Sequence, residues 1–356
     1  MWRGQGCFWE YVTGLNAIYT YYQVTGSADA KLRLATMWRY IQQHWSLDLI
    51  GRCGVGTTST AQDDASWGAL GLIELADALE DPLALVWAHA LLDCAYERWH
   101  DLELGGGLWY NDAHREKSSY QAIYALDCQL FFRLTGNATF RDRAIELERW
   151  AANALLRRGQ MPPVGNGSVP PPGAHIPYPD DGIYWEGVLP DGTANGWDRP
   201  DDIRMAGSVS FLCGNMAFAA LNALLYAQTK DTQYLERLRG TGRGIAKLER
   251  VAGRDIFLDD RDAFADGTAA YWYTCLAAPL MPLVGAAGRA TINATAASIA
   301  SHDRSAAGRY GGDWQGPPNP GGIWAAVGSV DSQLRVMAQG VTMIFAAEAS
   351  LHCHIP

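Results

Sequence analysis

The chain is written mostly in a helical period. Between Leu83 and Cys94, apolar side chains fall at Leu83, Val86, Trp87, Ala90, Leu91 and Cys94, the spacing of one helix face. Leu72, Leu75, Ala76 and Leu79 repeat the pattern one helix earlier, and Phe218, Leu221 and Leu225 repeat it later. No stretch alternates apolar and polar residues long enough to predict a sheet, so a nucleotide-binding α/β fold has no support. The helices come in pairs with a recurring joint. Thr25-Gly26-Ser27, Thr135-Gly136-Asn137 and Thr229-Lys230-Asp231 each offer a left-handed helix end, then a side chain able to cap the next helix. Glu80-Asp81-Pro82 does the same with a proline suited to a first helical turn. Joints near 26, 81, 136 and 230 predict a repeat of helical hairpins carrying one long insertion. Five pairs and a terminal helix over Ser332 to Glu348 would close into a ring of hairpins. The expectation is an all-α (α/α)6 toroid, a single domain over residues 1–356.

The insertion, residues 158–205, is rich in Pro, Gly and Asp and has no helical stripe. A loop of that length inside a compact domain is usually functional or disordered, and its aromatic centre, Tyr178 to Glu186, argues for order. Two shorter segments look alike: Leu104-Gly-Gly-Gly-Leu-Trp-Tyr-Asn111 and Arg309-Tyr-Gly-Gly-Asp-Trp-Gln-Gly316. Their glycines would let backbone approach a ligand, with Trp, Tyr, Asn and Asp beside them for stacking and hydrogen bonds. All three loops are expected on one rim of the ring.

Composition narrows the ligand. With 28 basic against 38 acidic side chains the net charge is −10, which disfavours nucleic acid, anionic membranes and polyanionic substrates. There are 14 Trp and 16 Tyr against 9 Phe, so most rings carry a polar edge, as suits the faces of sugars. The longest apolar stretch, Cys275 to Ala287, is broken by Pro279 and Pro282 and predicts no membrane span. Met1-Trp2-Arg3-Gly4-Gln5 leads into an amphipathic segment without the apolar core of a secretory signal, so the chain either stays inside or has lost its signal. Seven cysteines, without a Cys-x-x-Cys spacing, are expected to be scattered buried thiols rather than a disulfide framework.

The sharpest chemical candidate is Gln62-Asp63-Asp64-Ala65-Ser66-Trp67-Gly68. Two consecutive carboxylates stand at a helix entrance, where one could serve merely as an N-cap and the other complement the helix dipole. The same pair suits glycosidic chemistry: a retaining enzyme needs two carboxyl groups about 5 to 5.5 Å apart, with pKa values pushed apart by their proximity. Asp180-Asp181, Asp201-Asp202 and Asp259-Asp260 also occur, but in polar, loop-like surroundings. Gly54-Val-Gly56 lacks the last glycine of a dinucleotide loop, and no metalloprotease, Walker A or serine-hydrolase motif is present.

The stretch from Gln62 to Leu70 resembles the Asp-Asp signature of glycoside hydrolase family 76, the endo-α-1,6-mannanases and their fungal cell-wall relatives. Gly105 to Asn111 is similar to that family's Gly-Gly-Ile-Trp-Trp-Asn loop, and Phe132 to Asn137 and Leu225 to Thr229 are similar to its helix joints. Asp181-Gly182 with Tyr184-Trp185, and Trp314-Gln315-Gly316-Pro317, also resemble family segments; the likeness runs over residues 8–350. It implies an (α/α)6 barrel, retaining hydrolysis of α-mannosidic linkages, no cofactor and no metal, with Asp63 as nucleophile and Asp64 as acid/base. Trp67, Trp109, Tyr110, Asn111, Asp181, Trp185 and Trp314 would bind a neutral α-mannan, in a monomer that is secreted or attached to the cell envelope. The chain departs from the family pattern where Cys213-Gly214-Asn215-Met216 opens one helix and Tyr120-Gln121 another. These departures leave open a cell-wall transglycosidase, a glycan-binding protein without turnover, or another (α/α)6 sugar enzyme such as an inverting glucanase or an epimerase.

Overall fold

The computed structural model describes residues 8–53, 61–156, 182–192, 212–245, 266–280, 284–302 and 342–347. These residues form helical hairpins. α1 (Phe8–Thr25) pairs with α2 (Ala28–His44), and α3 (Leu47–Ile50) is a single turn. α4 (Gln62–Leu79) pairs with α5 (Pro82–Trp99), α6 (Gln121–Thr135) with α7 (Ala138–Ala154), and α8 (Leu212–Thr229) with α9 (Thr232–Ile245). α10 (Asp266–Trp272) continues through one π turn, Tyr273–Ala277, and a 3-10 turn, Ala278–Leu280, before α11 (Val284–His302). The first member of each hairpin lies in an inner ring: α4 packs between α1 and α6, α8 follows α6, and α10 joins α8 back to α1. A last helical segment, α12 (342–347), sets Phe345 against Tyr21 of α1, ring centroids 5.0 Å apart. This is the (α/α)6 architecture that the hairpin repeat predicts. The rest of the expected terminal helix lies outside the described residues.

The joints form as their sequences require. In three of them a threonine donates its hydroxyl to the carbonyl four residues back and accepts the amide two residues on: Thr25, Thr135 and Thr229, each 2.7 Å from its carbonyl. The residue between is left-handed, with φ of +65° at Gly26, +73° at Gly136 and +60° at Lys230. Ser27, Asn137 and Asp231 then accept an amide of the next helix. At the fourth joint Glu80 takes the left-handed turn, and Asp81 both accepts the Leu83 amide and binds the Trp38 indole.

Inner helices are buried almost all round, as their position demands; in α4 only Asp64, Asp77 and Leu79 are not fully buried. Outer helices bury one stripe. In α5 that stripe is Ala84, Trp87, Ala88, Leu91, Leu92, Ala95 and Trp99. Leu83 and Val86, expected on the inward face, are exposed, because the helix presents the face one residue further along. The cysteine expectation holds only in part: Cys128 and Cys213 are free and buried, but others are paired. Cys53, after α3, is disulfide-bonded to Cys94 on α5, and Cys275 is disulfide-bonded as well. Forty-one residues separate Cys53 from Cys94, so nothing local in the sequence reveals that the hairpins bring them together. No helix among the described residues is long and apolar enough to cross a membrane.

Glycines let α1 and α4 approach. A Cβ built on Gly71 would stand 2.5 Å from Cγ1 of Val12, and one on Gly68 would meet Leu91 and Phe8 at about 3 Å. Val12 is β-branched and cannot swing aside. Gly71→Ala should therefore destabilise the protein by about 1 kcal/mol net, an overpacking cost of about 1–3 kcal/mol outweighing the gain of about 1 kcal/mol in helix propensity. Urea melts of the two proteins test this, and an unchanged or raised midpoint would show that the helices can part.

Candidate active site

The entrance of α4 is fixed by main-chain pairing. Ala61, the residue before the helix, forms an antiparallel bridge with Asn111, and the Gln62 amide donates to the Tyr110 carbonyl at 2.7 Å. Ala61 offers no side-chain cap, and both aspartates lie inside the first turn. The N-cap position thus belongs to Ala61, not to Asp63 or Asp64. Asp63 is 3 % exposed. Its Oδ2 accepts the Tyr110 hydroxyl at 3.3 Å, while Oδ1 is buried and has no hydrogen-bond partner. Asp64 is half-buried.

Burial pushes the Asp63 carboxyl up to about 6; the first-turn amides and the Tyr110 hydroxyl pull it back, and nearby Glu116 pushes it further up. Burial, then Asp63 and Asp64, hold the Tyr110 phenol well above its usual range, so it remains a proton donor. One carboxyl group, removed from water, thus holds the phenol, and the charge of the next acts on it.

The loop that brings Tyr110 here is built on a buried ammonium. Lys117 is fully buried, with Nζ donating to Asp101 Oδ1 (2.6 Å) and to the carbonyls of Glu103 (2.7 Å), Gly106 (2.7 Å) and Gly107 (3.4 Å). Burial lowers the Lys117 pKa against the opposing pull of Asp101. For Asp101 burial is outweighed by Lys117 and Trp109, and its carboxyl lies below the usual range. Gly107, at φ +83°, is backed by Trp150: a Cβ there would fall 2.7 Å from the indole. The glycines of this loop serve approach to Trp150 and Lys117. Trp109 is 1 % exposed, stacked on His114 at 4.7 Å, covered by Lys117 Nζ 4.8 Å from its ring, and donates its indole N–H to Asp101.

Part of the long insertion folds over the same end. β2 (Gly187–Val188) pairs antiparallel with β1 (Lys117–Ser118). Tyr184 stacks on Phe218 of α8, and its amide is held by Asn215 Oδ1 at 2.8 Å. Gln121 plays the matching part on α6, accepting the Leu108 amide and donating to the Ser118 carbonyl. The two positions that depart from the family pattern are thus loop anchors. Trp185 is 3 % exposed and its amide donates to Leu155. Trp67 is 4 % exposed, with an indole N–H that has no partner. Tyr110 and Asn111 stand half-buried at the rim, Asn111 accepting the Ala113 amide. Asp181 and Trp314 lie outside the described residues, as do the loop 309–316 and most of 158–205.

Sequence reasoning missed Glu116 and Lys117, and with them two acids deeper in the barrel. Glu74 on α4 is buried, accepts Asn16 Nδ2 at 2.5 Å and is pushed by burial up to about 8. Asp127 on α6 is buried with neither oxygen hydrogen-bonded, and burial raises it well above the usual range. The available signal was a carboxylate inside an apolar run, as in Leu72-Ile73-Glu74-Leu75. One group among the described residues has ligand atoms close enough to share a cation: Asp101, Glu103 and His114, within 4.8 Å. The cation at Asp101 is the Lys117 ammonium.

No family model and no curated protein matches the sequence. Solved structures do match. The α-1,6-mannanase of glycoside hydrolase family 76 from Salegentibacter sp. superposes with TM-score 0.71 at 15 % identity, over 96 % of this chain and 88 % of that one. A family 76 α-mannanase from Bacteroides thetaiotaomicron gives 0.66 at 16 % identity, over 96 % and 86 %. Dfg5 from Chaetomium thermophilum, solved with glucosamine, gives 0.63 at 13 % identity, over 95 % and 80 %. An inactive form of the Salegentibacter enzyme, with two consecutive aspartates changed to asparagine, was solved with α-1,6-mannotriose and superposes at 0.69 with 14 % identity, over 95 % and 89 %. The chain has the (α/α)6 fold of family 76 structures.

Asp63 also sets a stability prediction. Its folded pKa of about 6 exceeds its ordinary 3.8, so its burial costs nothing below 3.8, costs progressively more as pH rises, and costs in full above 6. Asp63→Asn removes that cost. The variant should melt close to wild type at pH 4 and be more stable at pH 7 by on the order of 2 kcal/mol. Thermal melts at the two pH values check it; the same difference at both would mean that Asp63 does not titrate in that window.

Proposed function

We propose that this chain is a retaining glycoside hydrolase that cleaves α-1,6-mannosidic linkages in a neutral mannan-type polysaccharide. The observation that carries the reading is the consecutive carboxyl pair at the loop-bearing end of the barrel, one member withdrawn from water and held by a phenol. The likeness in fold to α-1,6-mannanases supports it, as does an inactive mannanase in which two consecutive aspartates were replaced.

In this reading Asp63 attacks the anomeric carbon as the glycosidic C–O bond breaks, and Asp64 gives its proton to the leaving oxygen. Asp64 then takes a proton from the incoming water, which displaces Asp63 and frees the sugar with its original configuration. Burial alone would favour Asp63 as the protonated member. The Tyr110 hydroxyl and the first-turn amides stabilise its anion, and these contacts are the reason to assign it the nucleophile. Asp64, half-buried, is placed to exchange protons with substrate and water. Tyr110 and Asn111 at the rim, Trp67 and Trp185 beneath it, and Asp181 and Trp314 complete the proposed sugar-binding set. Trp109 belongs behind it, since it is buried, packed against His114 and Lys117, and its indole N–H is taken by Asp101. No step calls for a cofactor or metal. The Cys53–Cys94 disulfide supports a place of action outside the cytosol, secreted or at the cell envelope.

The test is an NMR time course with α-1,6-mannan that follows the first anomeric signal. The α-anomer should appear first, and Asp63→Asn and Asp64→Asn should each lower turnover at least about a hundredfold with the fold intact. A β-anomer first would require a different carboxylate pair, about 6.5–9.5 Å apart. Wild-type turnover in both variants would remove the pair from the reaction. Because Asp63 must be ionised to attack, kcat/KM should fall as pH drops below about 6. Transfer of mannosyl groups to an added mannoside, in preference to water, would make the protein a transglycosidase on the same site.

A further inference from the structure

We propose that Lys117 is a positioning residue for Asp63: its buried ammonium locks the loop that delivers the Tyr110 hydroxyl to the Asp63 carboxylate. The proposal rests on Asp63 as the reacting carboxylate only for its effect on catalysis; the positioning itself is a statement about the loop.

The connection is continuous. Lys117 Nζ gathers four oxygen acceptors from the segment 101–107, one carboxylate and three main-chain carbonyls. Its own backbone is held by the antiparallel pairing of Lys117 with Val188. Asp101 spends its second oxygen on the Trp109 indole N–H at 2.6 Å, and Lys117 also lies over the face of that indole. Trp109 is tied by its amide to the Trp99 carbonyl at 2.9 Å, and the next residue is Tyr110. The main chain of Tyr110 is clamped on both sides, its amide on the Glu116 carbonyl (2.8 Å) and its carbonyl on the Gln62 amide. The lysine does not reach Asp63 itself. A buried ammonium is costly unless its protons are taken up, and here every acceptor belongs to the loop, so the charge can be satisfied only with the loop in this shape.

The charged and titratable groups acting on Asp63 are Tyr110, which donates to it, and Glu116, which repels it; Asp64, the next residue, shares its phenol. Those acting on Lys117 are Asp101 and Glu103. Loss of the lysine should therefore act on Asp63 through Tyr110.

The experiment is a 13C NMR titration of the Asp63 carboxyl, assigned by its disappearance in Asp63→Asn and needing no substrate. Tyr110→Phe, Lys117→Met and Trp109→Phe should each raise the titration midpoint, by about half a pH unit for loss of one hydrogen bond to the anion. Lys117→Met combined with Tyr110→Phe should titrate no higher than Tyr110→Phe alone. A further rise in the double variant would mean that the lysine acts directly through its charge, which overturns the proposal. An unchanged midpoint in Lys117→Met and Trp109→Phe, with a shift in Tyr110→Phe, would reduce Lys117 to a structural residue and also overturn it. Should Lys117→Met fail to fold, Trp109→Phe, which keeps the ammonium and an aromatic face and cuts only the indole hydrogen bond to Asp101, decides alone. In kinetics on α-1,6-mannan the acid limb of kcat/KM in Lys117→Met and Trp109→Phe should move with the midpoint while KM holds. Shifted midpoints in a protein with no mannanase activity would uphold the positioning and overturn the proposed reaction.

Discussion

Asp63 has to carry a charge at neutral pH in a place that water does not reach. A buried anion is tolerated only where hydrogen bonds and dipoles are fixed around it in advance. Everything described at this end of the barrel bears on that requirement. The helix start supplies oriented amides, and the 104–118 loop supplies a phenol that stays protonated. The loop is stiffened by a lysine whose own charge could not be buried without the loop's carbonyls. One buried charge is thus supported by another that lies out of its reach, and the main chain between them carries the coupling.

The same constraint separates Asp63 from the other acids in the barrel interior. Glu74 and Asp127 are also buried, but no hydrogen bond reaches Asp127, and Glu74 is met by the Asn16 amide and the Trp272 indole, without a phenol. Without enough donors a buried carboxyl keeps its proton, which is the direction burial drives both of them. The distinction between a buried carboxyl that ionises near neutral pH and one that keeps its proton is therefore a matter of which donors surround it. Depth below the surface is common to all three.

Local features were legible in the sequence because they are decided locally. The Thr-Gly-Ser and Thr-Gly-Asn joints predict a left-handed turn and a cap from three residues, and both form. The inner helix at Leu72–Leu79 and the adjacent carboxyl pair could be read the same way. Features joining distant segments were not. The Cys53–Cys94 bond, the reach of Lys117 to Asp101 and the anchoring of Tyr184 by Asn215 all depend on how hairpins stack, which no periodicity reports. The phase of α5 failed for a related reason: Leu83 and Val86 are as apolar as the residues that turn inward, and only the neighbouring helix decides between them. The tryptophans drew attention as sugar platforms from composition, yet Trp109 is spent on its own loop.

The short joints and the long loops occupy opposite ends of the barrel. α4 has Asp63 in its first turn and the Glu80-Asp81 joint just past its last, about 27 Å away at 1.5 Å per residue. The other described joints likewise follow the C-termini of inner helices, where a single left-handed residue makes the turn. The connections leading into inner helices, such as residues 100–120 and 155–211, are free to be long. The turns that assemble the ring and the loops around Asp63 are therefore written in separate parts of the chain. A lineage carrying this barrel can lengthen, shorten or exchange its long loops while inheriting the joints that build the ring unaltered.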